Sequence, residues 1–230
     1  MDFREWQVND KVIQLTGYHM QELGYASDAL KGCENVLEVG IGYGGLAKRL
    51  IEQGKRVTGI DIDPEKLTYV RTKIGPNPRL VLKECDALNI PYDSEFDGAA
   101  CFSSFHDIGN YQRLLHGISR ALRHKGILSI TDRKVDCFEA FQMKFGAEIV
   151  NLVYSGALTE VEMLISFQAY VKRRDDFHRR SKVAKELKVG HIEIGNLLET
   201  YGFVFRRYEE FYDNTCFSLE AEKNPFLEKA

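Results

Sequence analysis

This sequence holds no Cys-x-x-Cys pair, no long apolar run and no marked excess of either charge, and each absence removes a class of function. Its five cysteines, Cys33, Cys85, Cys101, Cys137 and Cys216, are scattered, so the spacing of a structural zinc site or a redox dithiol is missing. No metal is expected. Cys85 and Cys101 sit in apolar runs and are expected simply to pack. No stretch approaches the roughly 20 apolar residues that span a bilayer. Met1-Asp2-Phe3-Arg4-Glu5 carries charge where a secretory leader needs an apolar centre. The expectation is a reducing, cytoplasmic compartment with no membrane partner. Lys and Arg number 31 against 34 Asp and Glu, a formal net charge of -3. That balance speaks against a dedicated nucleic-acid binder, which needs a broadly basic face. Internal repeats and low-complexity tracts are absent as well.

What is present is alternation. Residues 1 to about 34 read as helical, with Val8, Val12, Ile13, Leu15, Met20, Leu23 and Leu30 on apolar stripes and breaks expected at Gly17 and Gly24. Then come short β-prone runs separated by helical periods: Val36–Val39, a helix from Leu46 to Gln53, Arg56–Ile60, and a helix from Pro64 to Lys73. Leu80–Leu82, Asp97–Phe102, a helix from Tyr111 to Leu122 and a strand Ile127–Thr131 follow. Strands alternating with helices predict βαβ units, a mostly parallel doubly wound sheet and helices on both faces. After Asp132 the alternation stops. Residues 133–190 read as a helical insertion over the ligand edge of the sheet, a lid within a single domain rather than an independent one. A helix near His191–Tyr201 and two strands, Phe203–Tyr212 and Cys216–Ala221, predict a closing antiparallel hairpin.

The segment Val36-Leu37-Glu38-Val39-Gly40-Ile41-Gly42-Tyr43-Gly44-Gly45 is strand, glycine turn, helix, the arrangement in which backbone passes close to a ligand. Gly40, Gly42 and Gly45 also satisfy the dinucleotide fingerprint G-x-G-x-x-G, so the segment by itself does not choose a cofactor. Its surroundings are more specific. Glu38 precedes the first glycine, Asp61 ends the second strand, and Asp86 ends the third in Glu84-Cys85-Asp86-Ala87. The fourth begins Phe96-Asp97 and runs into Cys101-Phe102-Ser103-Ser104-Phe105-His106-Asp107. These lie at successive strand ends, where open α/β sheets bind ligands.

In this order and spacing, over roughly residues 36 to 132 and more weakly in the final hairpin, the chain resembles the class I S-adenosylmethionine-dependent methyltransferase family. The resemblance implies a Rossmann-like fold, S-adenosylmethionine as cofactor and methyl transfer to an acceptor. It implies that Glu38 and the backbone of the Gly40, Gly42 and Gly44 turn hold the methionine part. Asp61 would hold the ribose, Ile62 would pack on adenine, and Asp86 with the Ala87 backbone would read the adenine edge. Phe102 and Ser103, at the end of the fourth strand, complete the expected cofactor residues. One departure is Arg123-His124-Lys125-Gly126, where many relatives have a Pro-Gly turn before the fifth strand. Asn89-Ile90-Pro91-Tyr92 only approximates an amino-methylation signature and lies before the fourth strand, so it reads as a loop. No Pro-Cys pair supplies the thiolate used in cytosine-C5 methylation.

His106 and Asp107 fall where an acceptor should meet the methyl donor. A neutral histidine can take a proton from a hydroxyl or amine near neutral pH, with Asp107 orienting it or binding a cation. The alternative is a histidine that packs or caps. Asp61 could equally cap the following helix, as could Asp63. Residues 172–188 hold eight basic and three acidic side chains, a local net of +5 that reads as a solvated helix or as a phosphate contact. Phe138, Phe141, Met143, Phe145, Tyr154, Met163, Phe167 and Tyr170 line either a core or a substrate pocket. Trp6 and Tyr18 close over the cofactor or pack on the sheet. A small-molecule acceptor is favoured, with RNA or protein as runner-up. Readings from other classes are an NAD(P)-dependent oxidoreductase and a non-catalytic S-adenosylmethionine-binding protein.

Overall fold

A computed structural model describes residues 3–134, 138–168, 191–212 and 214–224. Two helices come first, α1 (Phe3–Thr16) and α2 (Tyr18–Ala29), followed by β1 (Asn35–Val39), α3 (Gly45–Glu52), β2 (Arg56–Asp61), α4 (Pro64–Ile74) and β3 (Leu80–Glu84). A 3-10 turn (Ala87–Asn89), β4 (Phe96–Phe102), a second 3-10 turn (Phe105–Asp107), α5 (Tyr111–Ala121) and β5 (Leu122–Arg133) follow. Then come α6 (Phe138–Tyr154), α7 (residues 160–168), α8 (His191–Thr200) and the strands β6 (Phe203–Phe211) and β7 (Cys216–Lys223).

Local chemistry sets the boundaries. The Asp63 side chain accepts the Glu65 N–H at 3.0 Å and caps α4, Pro64 fills its first position, and Gly75 closes it at φ 75°. Asn110 caps α5 through the Arg113 N–H at 3.0 Å. Gly17 separates α1 from α2 in a left-handed conformation, as expected, but Gly24 lies inside α2 and breaks nothing. The helix expected to run to Leu122 ends at Ala121, and β5 begins early. Leu122 pairs with Phe96 before the register slips and resumes at Gly98–Ile127. Lys125, at φ 61°, makes the turn inside that irregularity.

The sheet has seven strands in the order β3-β2-β1-β4-β5-β7-β6. β1 to β5 are parallel; β7 runs antiparallel to both β5 and β6 and lies between them. The closing hairpin therefore forms, but its second strand enters the sheet first. Side chains alternate between two cores. Leu37, Val39, Ala99, Cys101, Leu128 and Ile130 pack with α5 and α8, while Val36, Val57 and Ala100 pack with α2, α3 and α4. The strand order reverses between β1 and β4, the kind of switch point at whose carboxyl ends open α/β sheets bind ligands.

α1 contributes Val8 and Val12 to a third cluster with Ile149, Leu158, Phe145, Met163 and Phe167 of the helical segment after β5. Of the aromatic and methionine side chains expected to line a core or a pocket, Phe145, Met163 and Phe167 pack half-buried against this cluster. Met143 and Tyr154 face outward, at 77% and 88% exposure. The basic run 172–188 and Tyr170 lie outside the described residues, as do the side chains of Tyr18, Phe138 and Phe141. Trp6 packs edge-on against Tyr69 of α4, with ring centroids 6.1 Å apart. Among the described residues no helix is long and apolar enough to cross a membrane.

Candidate functional site

Glu38, the penultimate residue of β1, lies on the face that packs α3, and it is 1% exposed. Its carboxylate faces the Ala47 N–H in the first turn of α3, where the helix dipole favours negative charge. Burial pushes its pKa well above the usual carboxylate range; the Ala47 bond opposes the shift and the Asp61 charge adds to it. Its second oxygen, Oε2, is buried without a hydrogen-bond partner in the described structure.

The turn that follows places Gly40, Gly42 and Gly44 at φ 72°, 53° and 69°, whereas Gly45 is an ordinary helical residue. A Cβ on Gly40 would stand 2.6 Å from Ser104 Cβ, and one on Gly44 would stand 2.9 Å from Val70 Cγ1. At Gly42 a Cβ would meet only the Gly40 carbonyl, at 3.9 Å. At Gly45 it would make ordinary contact with Leu23 at 3.9 Å. The structure thus requires the first, third and fifth residues of Gly40–Gly44. The sixth residue of the literal dinucleotide fingerprint needs no glycine here. The dinucleotide reading also expects six parallel strands, and the antiparallel β7 departs from that order.

Asp61 ends β2 beside this turn. Its Oδ2 accepts the Gly42 N–H at 3.1 Å and its Oδ1 accepts the Asp63 N–H at 3.0 Å, with Lys66 Nζ at 3.8 Å. Asp63, not Asp61, caps α4. The next residue, Ile62, leaves a large apolar side chain 68% exposed at the strand end. The Cys85 N–H donates to the Asp61 carbonyl at 3.0 Å, which carries the edge on to Asp86. Asp86 accepts the Leu88 N–H at 2.9 Å and the Asn89 amide at 3.1 Å, so it also caps the turn that begins at Ala87. Asp97, by contrast, lies at the opposite edge of the sheet and clamps the Glu34 and Asn35 N–H groups at the start of β1.

β4 ends at Phe102. Ser103 then adopts φ 51°, uncommon outside glycine, and its buried Oγ has no hydrogen-bond partner in the described structure. Ser104 Oγ donates to the Val39 carbonyl at 2.7 Å, tying the end of β4 to the glycine turn.

His106 sits in the 3-10 turn after β4, and its orienting partner is Asp132 at the end of β5. Asp132 Oδ2 accepts the His106 backbone N–H at 3.0 Å, and Oδ1 lies 2.6 Å from the imidazole Nδ1. Burial alone lowers the His106 pKa, but the charge and hydrogen bond of Asp132, with Asp107, outweigh it and leave it raised; Arg133 opposes them. Burial raises the Asp132 carboxyl, but His106 and Arg133 outweigh it and leave it lowered. The expected orienter, Asp107, has its Oδ2 3.8 Å from Nε2 and is more than half exposed, so it is the more distant carboxylate. The sequence does not single out Asp132, because no glycine turn or motif follows it at the end of β5. The signal available was its position, a carboxylate at a strand end like Asp61.

The methyltransferase-domain family profile matches residues 37–130. An uncharacterized methyltransferase of Schizosaccharomyces pombe is 33% identical over 102 residues, 42% of this chain and 39% of the relative. A sterol 4-C-methyltransferase of Caenorhabditis elegans is 24% identical over 188 residues, 77% of this chain and 52% of the relative. The chain spans about half the length of the curated relatives it matches. Among solved structures, a SAM-dependent methyltransferase of Methanosarcina mazei shares the fold with a TM-score of 0.58 at 18% identity, covering 86% of this chain and 96% of that one.

Proposed function

We propose that the chain is a class I S-adenosylmethionine-dependent methyltransferase and that it methylates a small-molecule acceptor, a reading supported by the methyltransferase-domain match and the shared fold. When bound, S-adenosylmethionine supplies a sulfonium-activated methyl group open to in-line displacement. The residues present fit it. Glu38 Oε2 and Ser103 Oγ are buried polar atoms left without partners at the strand ends. The observation that carries the reading is the Gly42–Asp61 pair. The Gly42 N–H holds Asp61 Oδ2, while a Cβ on Gly42 would touch nothing but the Gly40 carbonyl, at 3.9 Å.

In this reading Glu38 and the turn Gly40–Gly44 hold the methionine part, Asp61 the ribose, and Ile62 the adenine face. Asp86, the Ala87 backbone, Phe102 and Ser103 complete the cleft. On the acceptor side, His106 receives the proton of the attacking group. With an ionised Asp132 accepting Nδ1–H, the neutral ring carries its lone pair on Nε2. The protein's main contribution is to hold acceptor and donor in line, which can supply roughly 7–11 kcal/mol in favourable cases. The sterol named for the C. elegans relative and the acidic net charge of -3 both support a small, non-polyanionic acceptor.

Thermal unfolding in S-adenosylmethionine, S-adenosylhomocysteine, NAD, NADP or buffer tests the donor. A ligand at about 100 times its Kd adds about 2.7 kcal/mol. For a chain of this size that is a rise on the order of 5–10 °C. The rise is expected with the two adenosyl-sulfur compounds and is lost in Asp61→Ala. A rise with NAD or NADP alone overturns the proposal.

A further inference from the structure

Lys73, near the end of α4, makes three polar contacts that join two parts of the molecule. Its Nζ lies 2.8 Å from Asp10 Oδ1 and 2.7 Å from Asp10 Oδ2, on α1. It also donates to the Tyr43 carbonyl at 3.1 Å, in the middle of the glycine turn. Tyr69, one helical turn earlier on α4, donates its hydroxyl to Asp10 Oδ2 at 2.9 Å. The Tyr69 ring meets Trp6 of α1 on one side and Tyr43 on the other, at 6.1 and 6.0 Å between centroids. Asp10 is buried, so its charge depends on these donors.

The turn needs such support. Three residues between Gly40 and Gly44 occupy positive φ, and glycine loses more freedom on ordering than any other residue. Gly40 and Ile41 are fixed through the Ile60 carbonyl, and Gly42 through Asp61. Tyr43 is fixed through Lys73. That last anchor is itself oriented by a carboxylate from α1.

We infer that the Asp10–Lys73 pair positions the cofactor turn, so that donor binding and the seating of α1 form one coupled equilibrium. The inference rests on the donor reading above. Coupling of this kind is reciprocal: what weakens the seat of α1 weakens donor binding, and bound donor tightens the seat. The sequence holds one tryptophan, Trp6, and it lies on α1 within the coupled cluster. It is a native reporter of that seat.

The test titrates S-adenosylhomocysteine into the full chain, followed by calorimetry and by Trp6 emission. In the unaltered chain both readouts move together with one Kd. Lys73→Met weakens binding by roughly tenfold or more, the factor implied by losing one hydrogen bond to a charged group, and abolishes the emission response. Lys73→Arg, which keeps the charge, recovers both. Asp10→Asn, equal in size, serves as the second variant if Lys73→Met fails to fold, and it weakens binding in the same direction. Unaltered-chain binding with an unresponsive Trp6, or Lys73→Met binding with an unaltered Kd, overturns the inference and leaves the donor reading intact. No binding to the unaltered chain overturns the donor reading and the inference with it.

Discussion

Asp132 grips His106 at two points, its backbone N–H and its ring, and that grip sets both the orientation and the charge of the imidazole. The raised His106 pKa means that the stabilisation from its protonated form is complete below the ordinary histidine range. It is lost as pH rises through the raised value. The lowered Asp132 pKa has the opposite sense: its contribution is present above the ordinary carboxylate range and is lost as pH falls through the lowered value. The pair is therefore strongest between the two. Asp132→Asn removes the charge that overcomes burial, so the His106 pKa falls, and NMR titration of the imidazole reads the fall directly. If His106 takes the acceptor proton, the same variant slows turnover by roughly a hundredfold. A lowered pKa with unaltered turnover removes the base role and leaves Asp132 a structural anchor.

At the scale of elements, the glycine turn separates fold from function residue by residue. Gly44→Ala meets Val70 of α4 and Gly40→Ala meets Ser104 after β4, each at a positive φ, so both lose stability. Gly42→Ala also pays for its positive φ, on the order of 1–2 kcal/mol, but it makes only an ordinary contact, with the Gly40 carbonyl. It is expected to keep the fold and lose donor binding, a combination that thermal melts with and without S-adenosylhomocysteine distinguish. Gly42→Ala binding as tightly as the unaltered chain places the donor elsewhere. The start of β5 teaches a related lesson. Arg123-His124-Lys125 reads as a basic helix end, a sound local expectation from the helix dipole. Pairing of Leu122 with Phe96 across the sheet outweighs it.

For the whole molecule, the buried thiols and phenols set an alkaline limit. Burial pushes Cys33, Cys216 and Tyr111 up to about 12. In the unfolded chain these groups ionise at roughly 8.5 for thiols and 10 for the phenol. The folded state holds protons that the unfolded chain releases, so their stabilisation is complete below the unfolded values and is lost as pH rises toward the folded ones. The midpoint of thermal unfolding is expected to fall by several degrees between about pH 8 and about pH 10.5, at roughly 2–4 °C per kcal/mol for this size of chain. A flat profile over that range contradicts the burial of these side chains.

The sequence by itself determined the alternation of strands and helices and the glycine turn. It also placed carboxylates near the ends of β1, β2 and β3, with Asp86 falling two residues beyond β3 rather than at its end, because these depend on period, turn chemistry and order along the chain. Tertiary structure alone decided that β7 enters between β5 and β6, that Asp132 rather than Asp107 holds His106, and that Asp97 serves the far edge of the sheet. It also brought Asp10 to Lys73, 63 residues away. The physical reason is the same in each case. A local pattern records which face a residue must bury and how the chain must turn. Which distant group arrives at hydrogen-bond distance is fixed only when two sheet faces and a sheet order are satisfied together.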